Sequence, residues 1–250
     1  MNAPAKPARK RLDQLLVERG LAATRQKAQA LILAGAARLD GQRVDKAGTL
    51  VSVEARLEIA GEGLKYASRG GLKLEGALED FGLDPSGLVA LDVGSSTGGF
   101  TDCLLQRGAR RVWAVDVSPE QLDWKLRRDD RVVAVGRNAR SLTAKDVTEP
   151  VDLVTADVAF ISVTKVLPAL VPLARPGADF LILVKPQFEL ERGLVGKGGI
   201  VRDAALRERA VERVREAAQD LGLEILGVRP SRITGAEGNQ EFFLHARKAG

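Results

Sequence analysis

The stretch Leu88-Val89-Ala90-Leu91-Asp92-Val93-Gly94-Ser95-Ser96-Thr97-Gly98-Gly99-Phe100 constrains the fold of this chain more than any other. A short apolar run bounded by turn residues is a buried strand. Glycines at its exit let the backbone reverse sharply into a helix and come close to a ligand. Strands buried on both faces belong to parallel sheets covered by helices, so the surroundings should alternate strand and helix. They do: strands are predicted over 88–93, 111–117, 132–135, 151–156 and 180–184, with helices over 98–106 and 204–221. Two final strands, 224–229 and 241–246, flank the turn-rich Thr234-Gly235-Ala236-Glu237-Gly238-Asn239, which predicts an antiparallel pair at one edge. The fold class is therefore α/β, Rossmann-like, with a mostly parallel sheet.

The first quarter of the chain follows another pattern. Leu12, Leu15 and Leu16 recur at helical spacing up to Gly20, and Thr24 opens a second helical run through Ala28, Leu31 and Ile32. Asp40-Gly41 marks a hairpin within 36–44, and Val51, Val53, Leu57 and Ile59 continue in short strands. These features predict a small α+β domain over 1–60, a linker over 61–68 and the larger domain over 69–250. Charge divides in the same way. Residues 1–67 hold 12 Lys/Arg against 7 Asp/Glu and so carry the whole net charge of +5. A basic module beside a neutral one suits docking on a polyanion, with Arg11, Arg25 and Lys27 as the candidate contacts.

Other classes fit poorly. Apolar runs such as 166–174 and 179–184 fall far short of the roughly 20 residues that span a bilayer, so no membrane partner is expected. Lys6, Arg9 and Lys10 precede charged residues alternating with Leu and no apolar core, unlike a signal peptide. A lone Cys103 can form no internal disulfide, and the cytoplasm is the expected compartment.

Asp116 ends the strand that follows the glycine turn, about 20 residues beyond it, where a carboxylate can accept hydrogen bonds from both hydroxyls of a ribose. A dinucleotide fingerprint would place a glycine where Ser96 stands, which favours S-adenosylmethionine over a nicotinamide or flavin. The candidate cofactor residues are Asp92, Gly94, Ser95, Ser96, Gly98, Gly99, Phe100 and Asp116, with Asn138 placed to read the adenine edge.

Lys73, Asp157, Lys185 and Glu241 stand at or near the ends of successive elements, where a doubly wound sheet gathers its site. Methyl transfer to an alcohol needs the hydroxyl held in line with the methyl group and a partner for its proton. A lysine kept neutral by burial and a neighbouring cation can take that proton, and Lys185 is expected to do so. No metal is required. His245 and Cys103 are read as structural.

Taken together, several strings resemble the TlyA (haemolysin A) family of ribosomal RNA 2′-O-methyltransferases, which have an FtsJ-like catalytic domain. They are Arg11-Leu12-Asp13, Thr24-Arg25-Gln26-Lys27-Ala28, Ser68-Arg69-Gly70-Gly71-Leu72-Lys73-Leu74, the 92–101 loop, Lys185-Pro186-Gln187-Phe188-Glu189 and Gly238-Asn239-Gln240-Glu241-Phe242-Phe243. The first two look like the RNA-binding domain of ribosomal protein S four. The resemblance implies that Lys73, Asp157, Lys185 and Glu241 form a catalytic tetrad, that the methyl donor is S-adenosylmethionine, and that the product is 2′-O-methylcytidine in ribosomal RNA or ribosomal subunits. Two other readings remain open at this point: a membrane-lysing protein, and an RNA chaperone that keeps the fold without catalysis.

Overall fold

Residues 8–22, 24–33, 35–59, 65–235 and 238–250 are described by a computed structural model, which divides into two units, 1–70 and 71–250. Of the predicted linker, 61–64 lie outside the described residues, as do Lys6 and the 236–237 part of the C-terminal turn.

In the first unit, β1 (Arg9–Arg11) leads into α1 (Leu12–Glu18), and α2 (Arg25–Leu33) follows. Thr24 Oγ1 accepts the Lys27 N–H at 3.1 Å at the start of α2, as a capping threonine does. Then come β2 (Ala37–Leu39), β3 (Gln42–Arg43), β4 (Leu50–Ser52) and β5 (Leu57–Ile59). Asp40 and Gly41 take φ values of 50° and 79°, the left-handed pair that closes a tight β2–β3 hairpin. Strands β3-β2-β5 make one small sheet and β1-β4 another. Leu12, Leu15, Leu16, Ala28, Ile32, Val51 and Leu57 bury their side chains between helices and strands. Strand β1 was not expected, because its Arg-Lys-Arg carries no strand signal; it forms by pairing antiparallel with β4.

The boundary between the units falls at the start of α3 (Gly70–Phe81), just after the predicted linker, where the sequence predicts no element. Its glycine pair masks the start, yet Leu74, Ala77 and Leu78 form a buried helical stripe. There follow β6 (Val89–Val93), α4 (Gly99–Gln106), β7 (Arg111–Asp116), β8 (Val132–Gly136), β9 (Val151–Ala156), α5 (Leu167–Leu170), β10 (Ala174–Val184), α6 (Pro186–Glu189), α7 (Ala204–Asp220), β11 (Leu223–Pro230) and β12 (Phe242–Lys248). The seven strands form one sheet in the order β11-β12-β10-β9-β6-β7-β8. The five from β10 to β8 run parallel, and β12 is antiparallel to both β10 and β11. The expected terminal pair is present, with β11 at the edge and β12 inside the sheet. Strand β10 begins six residues earlier than predicted, across a register shift between Ala174 and Asp179 that takes in Pro176-Gly177. Those residues read as a turn, and here they make a bulge. Because the chain runs outward from β6 in both directions, β6 and β9 border the switch point, where ligands of such sheets bind beyond the strand carboxyl ends.

Candidate active site

Both loops at the switch point are held by one close approach. Gly94, at φ 84°, lies so near the next loop that a Cβ there would stand 2.3 Å from the Asp157 carbonyl oxygen. The Asp157 N–H in turn donates to Val93 O at 2.8 Å. Glycine is required here by space as well as by conformation.

The rest of the loop is shaped by carboxylates. Ser96 adopts φ 48°, uncommon for a residue with a side chain, and its N–H donates to Asp116 Oδ2 at 3.0 Å. Asp116 Oδ1 accepts the Ser118 N–H at 3.0 Å, which fixes the carboxylate at the end of β7, half-buried. Helix α4 makes its first intrahelical bond from Asp102 N–H to Gly98 O, so the N–H groups of Gly99, Phe100 and Thr101 precede it in the first turn. Glycines 94 and 98, donors in the first turn and a fixed carboxylate one strand away suit the carboxylate, sulfonium and ribose of S-adenosylmethionine.

Two of the candidate cofactor residues work from behind the loop. Asp92 is fully buried and accepts the hydroxyls of Thr101 (2.6 Å) and Thr155 (3.2 Å), and burial pushes its carboxyl up to about 7. Phe100 is buried and stacks on Phe243 at 6.1 Å. Asn138 is exposed beyond β8, its Oδ1 accepting the Arg140 N–H at 3.1 Å. Its amide N–H groups are the donors an adenine contact would use.

Lys73, Asp157, Lys185 and Glu241 arrive from α3, the exit of β9, the exit of β10 and the start of β12, and form two ion pairs, Lys73–Glu241 buried and Lys185–Asp157 partly buried. Lys73 Nζ lies 2.5 Å from Glu241 Oε2, and Lys185 Nζ contacts Asp157 Oδ1. The pairs also act on each other. Burial raises the Asp157 pKa, but Lys185 and then Lys73 outweigh it, and the carboxyl stands below its ordinary value. For Lys185, burial lowers the pKa while Asp157 and Glu241 raise it, and the net direction is up. This corrects one expectation. A neutral resting Lys185 required Lys73 to act as an unpaired cation, and Glu241 compensates that charge instead.

Supports that the sequence reading did not single out stand around the four. Asn239, buried, accepts the Val201 N–H at 2.9 Å and donates to Gly199 O at 2.7 Å, tying the 199–201 segment to the turn that delivers Glu241. Phe160, three residues past Asp157, has φ 65° and is 92% exposed, its ring 5.6 Å from that of Phe188. His245 pairs with Asp179 at 2.8 Å and Cys103 is buried, both within packing.

In the first unit, Arg11 and Arg25 share one buried carboxylate. Arg11 donates twice to Asp13, at 3.0 Å each, and Arg25 Nε donates to Asp13 Oδ2 at 2.9 Å, as does Gln29. Both guanidiniums stay partly exposed, at 40% and 52%, and Lys27 is exposed.

Residues 66–248 match the FtsJ-like methyltransferase family, and residues 10–57 match the S4 domain. The chain belongs to the FtsJ-like methyltransferase family. Within it, the chain is 49% identical over 241 residues to the 16S/23S rRNA (cytidine-2′-O)-methyltransferase TlyA of Mycobacterium tuberculosis, covering 96% of this chain and 90% of that protein. Hemolysin A of Brachyspira hyodysenteriae is 39% identical, over 94% and 98%. A solved structure of a hemolysin-named protein from Streptococcus thermophilus superposes with a TM-score of 0.76 at 41% identity, over 98% of this chain and 90% of that one. The resemblance to the TlyA family therefore holds for almost the whole chain. No helix among the described residues is long and apolar enough to cross a membrane.

Proposed function

We propose that this FtsJ-like methyltransferase transfers a methyl group from S-adenosylmethionine to a ribose 2′-hydroxyl of ribosomal RNA, on a cytidine. The observation that carries this reading is the convergence of Lys73, Asp157, Lys185 and Glu241 from four separate elements into two ion pairs, Lys73–Glu241 buried and Lys185–Asp157 partly buried. The pairs lie beside the glycine loop that Gly94 packs against Asp157. Bringing four charges out of water costs more than such pairs return in stability, so a chemical role accounts for them better than a structural one.

Gly94, Ser95, Ser96, Gly98 and Gly99 would cradle the cofactor and Asp116 its ribose hydroxyls, with Asn138 at the adenine. S-adenosylmethionine, when bound, supplies the electrophilic methyl group. Lys185 Nζ would accept the proton of the 2′-hydroxyl that receives this methyl group. Asp157 orients Lys185, and the Lys73–Glu241 pair positions the ribose. Asp157 and Glu241 hold the Lys185 pKa above its ordinary value, so the neutral amine is a minor form near neutral pH and turnover should climb with pH. The exposed ring of Phe160, backed by the tilted ring of Phe188, offers an apolar face suited to an unstacked base.

Residues 1–60 serve as the RNA-docking domain and 69–250 as the catalytic one. Arg11, Arg25 and Lys27 contact phosphates, and the substrate is an rRNA within a ribosomal subunit in the cytoplasm. The test is incubation of the protein with S-adenosylmethionine and purified ribosomal subunits, followed by nucleoside mass spectrometry. Appearance of 2′-O-methylcytidine supports the reading. No methylated nucleoside, together with RNA binding, would favour a non-catalytic chaperone, and leakage of liposomes would favour the membrane-lysing alternative.

A further inference from the structure

One buried carboxylate beside the site has no part in the chemistry just described. Glu189 ends α6, four residues after Lys185, and is 2% exposed. Its Oε2 accepts the Ser162 hydroxyl at 2.5 Å and its Oε1 the Val163 N–H at 2.8 Å. Its backbone carbonyl accepts Arg213 Nη1 from α7 at 2.7 Å. Ser162 is itself buried, and it caps the short turn Val163–Lys165 by accepting the Thr164 N–H. Burial pushes the Glu189 carboxyl up, while Ser162 and Val163 pull it back.

These contacts close a ring. The segment 157–163 leaves β9 and the segment 185–189 leaves its neighbour β10. They are joined first by the Asp157–Lys185 pair and again by Glu189 on Ser162 and Val163. Between the two joins lies Phe160 in the left-handed region, at φ 65°. For a bulky side chain that conformation is strained and persists only where its surroundings over-determine it. A carboxylate accepting two hydrogen bonds on the far side of the strained residue supplies that restraint.

We propose that Glu189 is a positioning residue for methyl transfer: it clasps the loop carrying Asp157 to the turn carrying Lys185 and so fixes the spacing of that pair and of Phe160 with Phe188. This inference rests on the methyltransferase reading above. It makes Glu189 matter more to turnover than to cofactor affinity: the cofactor loop touches the clasped loop only at Asp157, through Gly94 and Val93, and its Ser96 and helix side is held by Asp116 and Asp92.

The experiment compares wild type, Glu189→Ala, Glu189→Gln, Ser162→Ala and the Glu189→Ala/Ser162→Ala double variant. Single-turnover rates on ribosomal subunits, calorimetric affinity for S-adenosylmethionine and melting temperature are measured for each. Glu189→Ala should slow turnover about 10- to 100-fold, the cost of a displacement of roughly an ångström, with cofactor affinity within about twofold. Glu189→Gln should recover most of the rate, since its amide oxygen still accepts the Val163 N–H and its amide N–H can donate to Ser162 Oγ. Ser162→Ala should fall between, and the double variant should be no worse than Glu189→Ala alone. If Glu189→Ala does not fold, the Ser162→Ala and Glu189→Gln rates decide. Variants that melt lower yet turn over at the wild-type rate would overturn the clasp and leave a purely structural carboxylate. A wild-type protein that methylates nothing would overturn the underlying reading instead.

Discussion

Replacing Asp157 by Asn removes the carboxylate that pairs with Lys185 while keeping its shape. Asp157 is the largest of the influences holding the lysine's proton on, and burial, which works the other way, remains. An opposite charge in contact shifts a pKa by about 1–3 units, so the Lys185 pKa should fall by that much in the variant. A lysine that acts as the proton acceptor works only when neutral. Below its pKa the rate should therefore rise tenfold per pH unit, and in Asp157→Asn this limb should move down by about 1–3 pH units. Absolute rates will also drop, because the lysine loses its orienting partner, so the quantity to read is the pH at which the rate stops rising. The melting temperature is checked at each pH, because loss of the ion pair also costs stability. Single-turnover methylation at saturating S-adenosylmethionine over pH 6–10 provides the assay: the wild-type rate should rise across the whole range, and the Asp157→Asn rate should level off within it. An active variant whose rate climbs to the top of the range as the wild type does would refute Lys185 as the group whose deprotonation limits the rate.

Lys185→Arg should lose nearly all turnover and keep cofactor affinity, because guanidinium holds its proton; near-wild-type single-turnover rates would leave Lys185 only an electrostatic role. Asp116→Ala should weaken S-adenosylmethionine binding about 10- to 100-fold by calorimetry, since both the ribose acceptor and the Ser96 restraint are lost, and unchanged affinity in a folded variant would remove Asp116 from the site. Asp92 titrates near 7 in the folded state against about 3.9 unfolded, so its ionisation opposes folding: wild-type stability should decline as pH rises from about 4 to 7, on the order of 4 kcal/mol at most. Asp92→Asn should flatten that decline in a melting series, and an unaltered slope would mean that Asp92 is not its source. Arg25→Ala with Lys27→Ala should weaken binding to ribosomal RNA and lower its log–log salt slope by up to about 2 units, and an unchanged slope would take both residues out of the interface. Arg11 is left in place there, because removing it as well would strip most of the charge from the buried Asp13.

The elements legible in the sequence were those whose own residues force them. The 88–100 stretch announced a buried strand, a glycine turn and a helix, and Asp40-Gly41 announced a hairpin that forms on those two residues. Elements that depend on a partner were hidden. Strand β1 exists only against β4, and α3 starts on two glycines that mimic a linker. The four residues can be named from residue type and placement at or near the ends of elements, and as a tetrad from the family resemblance; the structure brings them together in two pairs. Which lysine pairs with which carboxylate could not be read, because Lys73 and Glu241 lie 168 positions apart and meet only through the sheet order. The resting charge of Lys185 was misjudged for that reason. Asp13 and Glu189 stand in strings that carry the family resemblance, but no role follows from sequence; it is their burial that sets them apart, and burial is a property of the fold.

The central claim is that this chain methylates a ribose oxygen. Its most direct test gives the protein S-adenosylmethionine carrying a labelled methyl group and two versions of one substrate RNA, identical except that the second has a 2′-deoxyribose at the modified nucleotide. Stoichiometric label is expected on the first, released by digestion as a 2′-O-methylated nucleoside, and none on the second. Equal labelling of both, or label recovered on a base, would contradict it.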